Sequence, residues 1–220
     1  IDQDEVYHKI YALGEWAQPT GLIYSGWHGV GRWPDSFDET GYGLDFGFNN
    51  PTALVEVGYK DSDIYIRELI YESGLTTPQL IAKMKGLGID GNKEIIADAA
   101  EPDRIEEIYQ SGFNVHGADK GQGSVSFGID VVRSHNIFYD RGSANLYMEY
   151  GSYKWREDKE GRTLDEPVKF NDHLMDALRY KLAKNAPRPG IDSIGEVTEE
   201  ETFALTTDSW DDADDWSDWS

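Results

Sequence analysis

Three short stretches carry the side chains that could do chemistry. Asp45 stands in Tyr42-Gly43-Leu44-Asp45-Phe46-Gly47-Phe48, on a strand face whose other members are Gly43 and Gly47. A carboxylate buried there needs a cation, hydrogen bonds or water. The two glycines leave space above the strand for a metal ion or a phosphate; the plainer reading is an edge aspartate facing solvent. Asp98 closes the apolar run Ile95-Ile96-Ala97. Ligand sites of α/β sheets gather at the carboxyl ends of strands, although a turn or N-cap aspartate would look the same. Glu101, just before Pro102, is either a supporting partner of that site or a negative charge at a helix N-terminus. Asp172, His173 and Asp176 lie on a final helical segment. At about 100° per residue they share one arc, while Leu174, Met175, Leu178 and Leu182 occupy the opposite side. An exposed polar face near a helix start is the bland alternative.

Taken together, the three stretches could converge on one point. A set of carboxylates with one imidazole suits Mg²⁺ or Mn²⁺ better than structural zinc. Two such ions side by side would clamp the attacking and leaving oxygens of a phosphodiester.

The surrounding pattern supplies the elements that must position these groups. Tyr42 to Phe48 alternates strictly, with Tyr42, Leu44, Phe46 and Phe48 as the apolar face. Asn49-Asn50-Pro51 is a turn, and Thr52 to Tyr59 and Asp63 to Tyr71 read as two more strands of a meander. Thr76 or Thr77 caps a helix that has Pro78 in its first turn and runs to about Lys85. Glu94 to Asp98 is a short buried strand, Pro102 to Gln110 a helix, Asn114 to His116 a strand and Val125 to Ser134 a helix. Ile137 to Tyr139 is a strand, Tyr153 to Val168 a hairpin around Glu160-Gly161, and Asn171 to Lys184 the last helix. A meander followed by alternating units predicts an α/β fold, a mixed sheet with helices on its faces.

Composition bounds the rest. The chain has 220 residues and a formal net charge of −22, with 39% hydrophobic residues and no cysteine. A core can form; disulfide staples, thiolate metal sites and cysteine nucleophiles are excluded. No apolar run reaches the roughly 18 residues of a membrane span, and the first residues do not read as a signal peptide. Without an initiator Met, the chain is expected to be a piece of something longer. Residues 1–40, rich in aromatics and glycine, read as an arm that packs on a neighbouring body; 41–186 read as the folded domain. Pro187-Arg188-Pro189-Gly190 opens a tail, 187–220, holding eleven acids and Trp210, Trp216 and Trp219, with no Lys or Arg beyond Arg188. Without those eleven charges the remainder carries −11. The tail is expected to be a solvated, disordered segment; a Trp-anchored interaction tail, or a DNA mimic over the protein's own site, is the sharper reading.

The order and spacing of four segments resemble one family. They are Tyr42-Gly43-Leu44-Asp45-Phe46-Gly47, Ile96-Ala97-Asp98-Ala99-Ala100-Glu101-Pro102, Lys120-Gly121-Gln122-Gly123-Ser124-Val125, and Asn171 to Tyr180. Together with Leu13-Gly14-Glu15-Trp16, they are similar to the C-terminal nuclease domain of the large terminase subunit of tailed bacteriophages, over roughly residues 7 to 185.

The resemblance implies an RNase H-like fold and metal-dependent endonucleolytic cleavage of double-stranded viral DNA during packaging. It maps the acidic triad onto Asp45, Asp98 and Asp176, with His173 also serving the metal site. Asp45 would bridge two divalent cations, Mg²⁺ or Mn²⁺, and Asp172 and Glu101 would support them. It also implies work beside an ATPase motor domain, a portal and a small terminase subunit, in the host cytoplasm at the procapsid and not as a secreted protein. No Gly-x-x-x-x-Gly-Lys-Ser/Thr loop is present, so this chain is not expected to hydrolyse ATP. Lys120 with the amides of Gly121, Gly123 and Ser124 would meet a DNA phosphate; an ordinary cap by Ser124 is the alternative. Lys154 and Arg156, with Lys159 and Arg162, would touch the backbone from the hairpin, unless that hairpin is simply solvated. Two other readings stay open: another RNase H-like nuclease, such as a junction resolvase or transposase-like enzyme, and a non-catalytic docking module of a packaging complex.

Overall fold

The computed structural model describes residues 21–184, 186 and 187. The chain divides into two units, Ile1–Asn185 and Ala186–Ser220, and every element below lies in the first. The expectations for the first twenty residues and for the acidic tail fall outside the described residues.

Among the described residues, nine strands and five helices follow one another. The strands are β1 (His28–Val30), β2 (Glu39–Asp45), β3 (Thr52–Lys60), β4 (Asp63–Glu72), β5 (Ile95–Ala97), β6 (Val115–Gly117), β7 (Asn136–Asp140), β8 (Trp155–Glu157) and β9 (Thr163–Pro167). The helices are α1 (Thr77–Gly86), α2 (Pro102–Gln110), α3 (Ser124–Arg133), α4 (Ala144–Ser152) and α5 (His173–Ala183). Seven strands form one mixed sheet in the order β1-β7-β4-β3-β2-β5-β6, and β8 and β9 form a separate hairpin. The expected meander is present, with β2–β3 and β3–β4 antiparallel. β5 adds to β2 in parallel, β6 to β5, β7 to β4 and β1 to β7.

Period-two alternation along β2 sorts the two faces. Tyr42 and Leu44 point into a core made with Leu54, Ile70, Ile95, Ala97 and Val115, closed by Leu80 and Met84 of α1 and Ile108 of α2. Gly43 and Asp45 point the other way, toward α5, which lies across β2, β3 and β5. Gly43 is what lets α5 come so close. A Cβ there would overlap the Ala177 carbonyl oxygen and lie 2.6 Å from its carbon. Gly128 of α3 likewise makes room for Arg179, whose Cδ lies 2.9 Å from a Cβ built there.

The structure departs from the sequence pattern in several places. β2 ends at Asp45, and the alternation beyond it is not strand. Thr52 Oγ1 accepts from the Gly47 amide (3.2 Å) and donates to the Gly47 carbonyl (2.7 Å), which turns the chain. Phe46 is therefore only partly buried, under the Arg104 guanidinium at 4.5 Å, and Phe48 is 57% exposed rather than part of an apolar face. α4 was not expected: only Leu146 and the polar Glu149 are buried along it, so it has no apolar stripe to read. Nor was β1, whose three residues inside the predicted arm are placed by pairing with β7, over a hundred positions later.

Candidate active site

Parallel register brings the first two carboxylates together. Leu44 pairs with Ala97, and the Asp98 amide donates to the Leu44 carbonyl at 3.0 Å. Asp45 and Asp98 thus leave neighbouring strands at the same edge of the sheet. α5 begins over that edge, with Asp172 as its N-cap. Asn171 enters it through the left-handed region at φ 49°, and the Asp176 amide closes the first turn on the Asp172 carbonyl at 2.7 Å. The apolar side expected of this helix is buried: Leu174, Met175 and Leu178 at 0% and Leu182 at 5%. The opposite arc delivers His173, whose Nδ1 lies 2.9 Å from Asp45 Oδ2 and donates to it.

The electrostatics record the convergence. Burial pushes the Asp45 carboxyl up to about 6; the His173 hydrogen bond opposes this, and the charges of Asp176 and Asp98 add to it. The Asp45 hydrogen bond raises the His173 imidazole above its ordinary value, against burial. The Tyr180 phenol is raised by burial and then by Asp176, Asp45 and Asp98, so one side chain senses all three carboxylates. Asp172 is raised by burial and by Asp176. It is 7% exposed, and its Oδ2 makes no hydrogen bond.

Each carboxylate also has a protein cation. Lys120 pairs with Asp98. Asp176 accepts from the buried Arg179 at 2.9 Å and pairs with Lys169 at 3.6 Å, which also lies 3.8 Å from Asp172. Among the described residues, no three Asp, Glu or His side chains sit together at metal-ligand spacing. Asp45 thus feels the charges of Asp98 and Asp176, and each carboxylate rests against a side chain of the protein: Asp45 on His173, Asp98 on Lys120, and Asp176 on Lys169 and Arg179. Their chemistry suits a hard divalent cation. So do the acidic crowding around Asp45 and the buried Asp172 oxygen that makes no hydrogen bond.

The remaining expected residues are placed less centrally. Glu101 is exposed at the N-cap of α2 and has Arg104 as a charge neighbour. Gly123, with φ 78°, is the N-cap of α3, so Ser124 does not cap the helix. The Ser124 amide donates to the Gly121 carbonyl at 3.0 Å. Lys154 belongs to the hairpin base through its bridge to Leu22, and Arg156 is held by Glu166 at 2.7 Å. Sequence reasoning missed Lys169, Arg179 and Glu149. Arg179 is three residues from Asp176 within α5, a helical-spacing signal that was available, whereas Lys169 lies before the helix. Glu149 gave no signal, since its partners are 25 residues or more away.

The sheet order and its acidic edge define an RNase H-like domain. The family described as the terminase RNAseH like domain matches residues 45–184, and the chain belongs to that family. Among curated proteins, it is 28% identical to the PBSX phage terminase large subunit of Bacillus subtilis strain 168 over 144 residues, which is 64% of this chain and 33% of that one. It is 26% identical to the terminase large subunit of Bacillus phage SPP1 over 169 residues, 70% of this chain and 38% of that one. The chain thus spans between 33% and 38% of the length of these relatives. Among solved structures, the large-terminase nuclease domain of bacteriophage SPP1 with bound Mn superposes with a TM-score of 0.65 at 24% identity, covering 72% of this chain and 96% of that one. The large terminase of a thermophilic bacteriophage, in complex with ATP-gamma-S, gives 0.64 at 25% identity, covering 84% and 53%.

Proposed function

We propose that this chain is the nuclease part of a terminase large subunit, a metal-dependent endonuclease that cleaves double-stranded viral DNA during genome packaging. The observation that carries this is the edge where Asp45 and Asp98 leave adjacent parallel strands beneath the start of α5, with His173 bonded to Asp45. The bound Mn in the SPP1 nuclease domain supports a divalent cation here. Asp45 would be shared between two cations, Mg²⁺ or Mn²⁺, with Asp98 holding one, and Asp176 and His173 the other. Such cations supply activation of water and neutralisation of charge at the scissile phosphodiester.

The chain's own residues do the positioning. Asp45 is fixed by its strand and by the His173 imidazole. Lys120 and Lys169, which lie beside the carboxylates, would face the phosphate backbone together with the Gly121 and Gly123 amides, with Lys154 and Arg156 further out. Asp172 and Glu101 support the acidic edge from outside. By this reading, the chain works beside a motor domain, and the whole enzyme works with portal and small subunit at the procapsid in the host cytoplasm. The ATP-gamma-S complex of the thermophilic-phage terminase supports the motor partner.

Plasmid cleavage by the purified chain with EDTA, Mg²⁺ or Mn²⁺, beside Asp45→Asn, tests the proposal. Nicking and linearisation should need metal and disappear in the variant, whose circular dichroism should match the wild type. Cleavage that survives Asp45→Asn would remove Asp45 from the site. No cleavage with any metal would favour a docking module. Preference for four-way junctions over linear duplex would favour a resolvase.

A further inference from the structure

Outside the carboxylate edge, one buried ionisable group has an arrangement that the reaction as described leaves unexplained. Glu149 of α4 is 1% exposed. Its Oε2 accepts from the backbone amides of Leu174 (2.6 Å) and Met175 (3.3 Å), and its Oε1 accepts from the Tyr71 hydroxyl of β4 (2.8 Å). Leu174 and Met175 open α5, directly after His173. Their amides are among the first four of a helix, which have no partner within it. The Asp172 side chain, although at the N-cap, makes no capping hydrogen bond. The helix start is therefore capped from another helix.

α4 is itself anchored in the same way. Glu68 of β4 accepts from the amides of Asn145 (3.0 Å) and Leu146 (3.1 Å) at the start of α4, and the Ser143 hydroxyl accepts from the Glu68 amide at 2.9 Å. Two carboxylates thus step from the central sheet to α4 and from α4 to the start of α5. An acceptor placed there satisfies amides that have no partner within their own helix.

We propose that Glu149 is a positioning residue for the nuclease site. Its carboxylate oxygen fixes the first turn of α5 and thereby the placement of His173 against Asp45. This inference rests on the nuclease reading for its kinetic readout, but not for its structural one. The geometry makes reach decisive rather than charge, because the acceptor must meet two amides of a neighbouring element. Glu149→Asp keeps the charge and withdraws the acceptor by one methylene. Glu149→Gln keeps an oxygen at full reach and discards the charge.

The experiment measures both variants and the wild type as the full 220-residue chain. The readouts are hydrogen exchange at the Leu174 and Met175 amides, the ring ¹⁵N shifts of His173, and plasmid cleavage with Mn²⁺. In Glu149→Asp, exchange at the two amides should accelerate about tenfold, a loss of the order a capping interaction supplies. The His173 shifts should move, and kcat should fall about tenfold while KM for DNA stays within about twofold. Glu149→Gln should stay within about threefold of wild type on every readout. A general loss of stability would lower the melting temperature without this split between kcat and KM. Wild-type exchange, shifts and kcat in Glu149→Asp would overturn the proposal. Should that variant not fold, a Glu149→Gln protein with kcat reduced about tenfold and unchanged Leu174 and Met175 exchange would overturn it as well. If the wild type does not cleave DNA with any metal, the nuclease reading fails, and the exchange and His173 shifts still decide the role of Glu149.

Discussion

At Asp45 three influences meet: burial and the neighbouring Asp98 and Asp176 raise the carboxyl, and the His173 hydrogen bond lowers it. The same competition is plainer at Glu149, which burial pushes up to about 7 against the hydrogen bonds from Tyr71 and Leu174. An acid with a raised folded pKa holds its proton more tightly when folded. Its contribution to stability is complete below the ordinary value of 4.5 and is lost as the pH rises through about 7. Glutamine at 149 cannot titrate. The wild type should therefore lose stability relative to Glu149→Gln by on the order of 3 kcal/mol between acid and mildly alkaline pH. Urea unfolding of both proteins at about pH 5 and about pH 8, either side of that titration, measures this directly. Parallel behaviour would mean that burial does not hold the proton on Glu149.

The site depends on one helix packed almost onto backbone. Gly43 of β2 admits the Ala177 carbonyl of α5, and any side chain there displaces the helix. Gly43→Ala should destabilise the domain by about 1–3 kcal/mol, the range for forcing extra volume into a packed interior. It should also weaken cleavage beyond what the lost stability explains, since His173 and Asp176 ride on α5. Urea unfolding together with cleavage well below the melting temperature separates the two effects. Cleavage unchanged at constant fold would show that the α5–β2 spacing does not set the site. α5 was legible in the sequence because its apolar positions recur at helical spacing and its polar arc held Asp172, His173 and Asp176. α2 was legible because Pro102 marks its first turn. Asp45 and Asp98 could be placed because each interrupts or ends an apolar strand. α4 and β1 were not legible. The buried face of α4 holds a glutamate, and β1 exists only through pairing with β7. Glu149 was hidden for the same reason: its role lies in contacts between elements, which local periodicity does not encode.

Over the whole molecule, acidity and the proposed DNA substrate pull in opposite directions. The chain carries −22, and the cations around the site are already paired with its own acids, as in Lys120–Asp98, Arg156–Glu166 and Lys169–Asp176. Electrostatic attraction to phosphates, the main source of nonspecific DNA affinity, is therefore weak. Half of the net charge comes from the eleven acids beyond Arg188. If they act by repulsion at a distance, removing residues 190–220 should tighten binding to linear duplex several-fold at low salt. There the screening length is about 30 Å, and the gain should shrink near physiological salt, where it is about 8 Å. Fluorescence anisotropy with a labelled duplex, at two ionic strengths and without metal, reads this for both chains. Equal affinities at low salt would exclude repulsion by the tail. A gain that persists at high salt would likewise count against repulsion at a distance. Simple repulsion would suit an enzyme whose DNA is held by other parts of a packaging machine, because it leaves cutting dependent on the DNA being delivered to the Asp45–Asp98 edge.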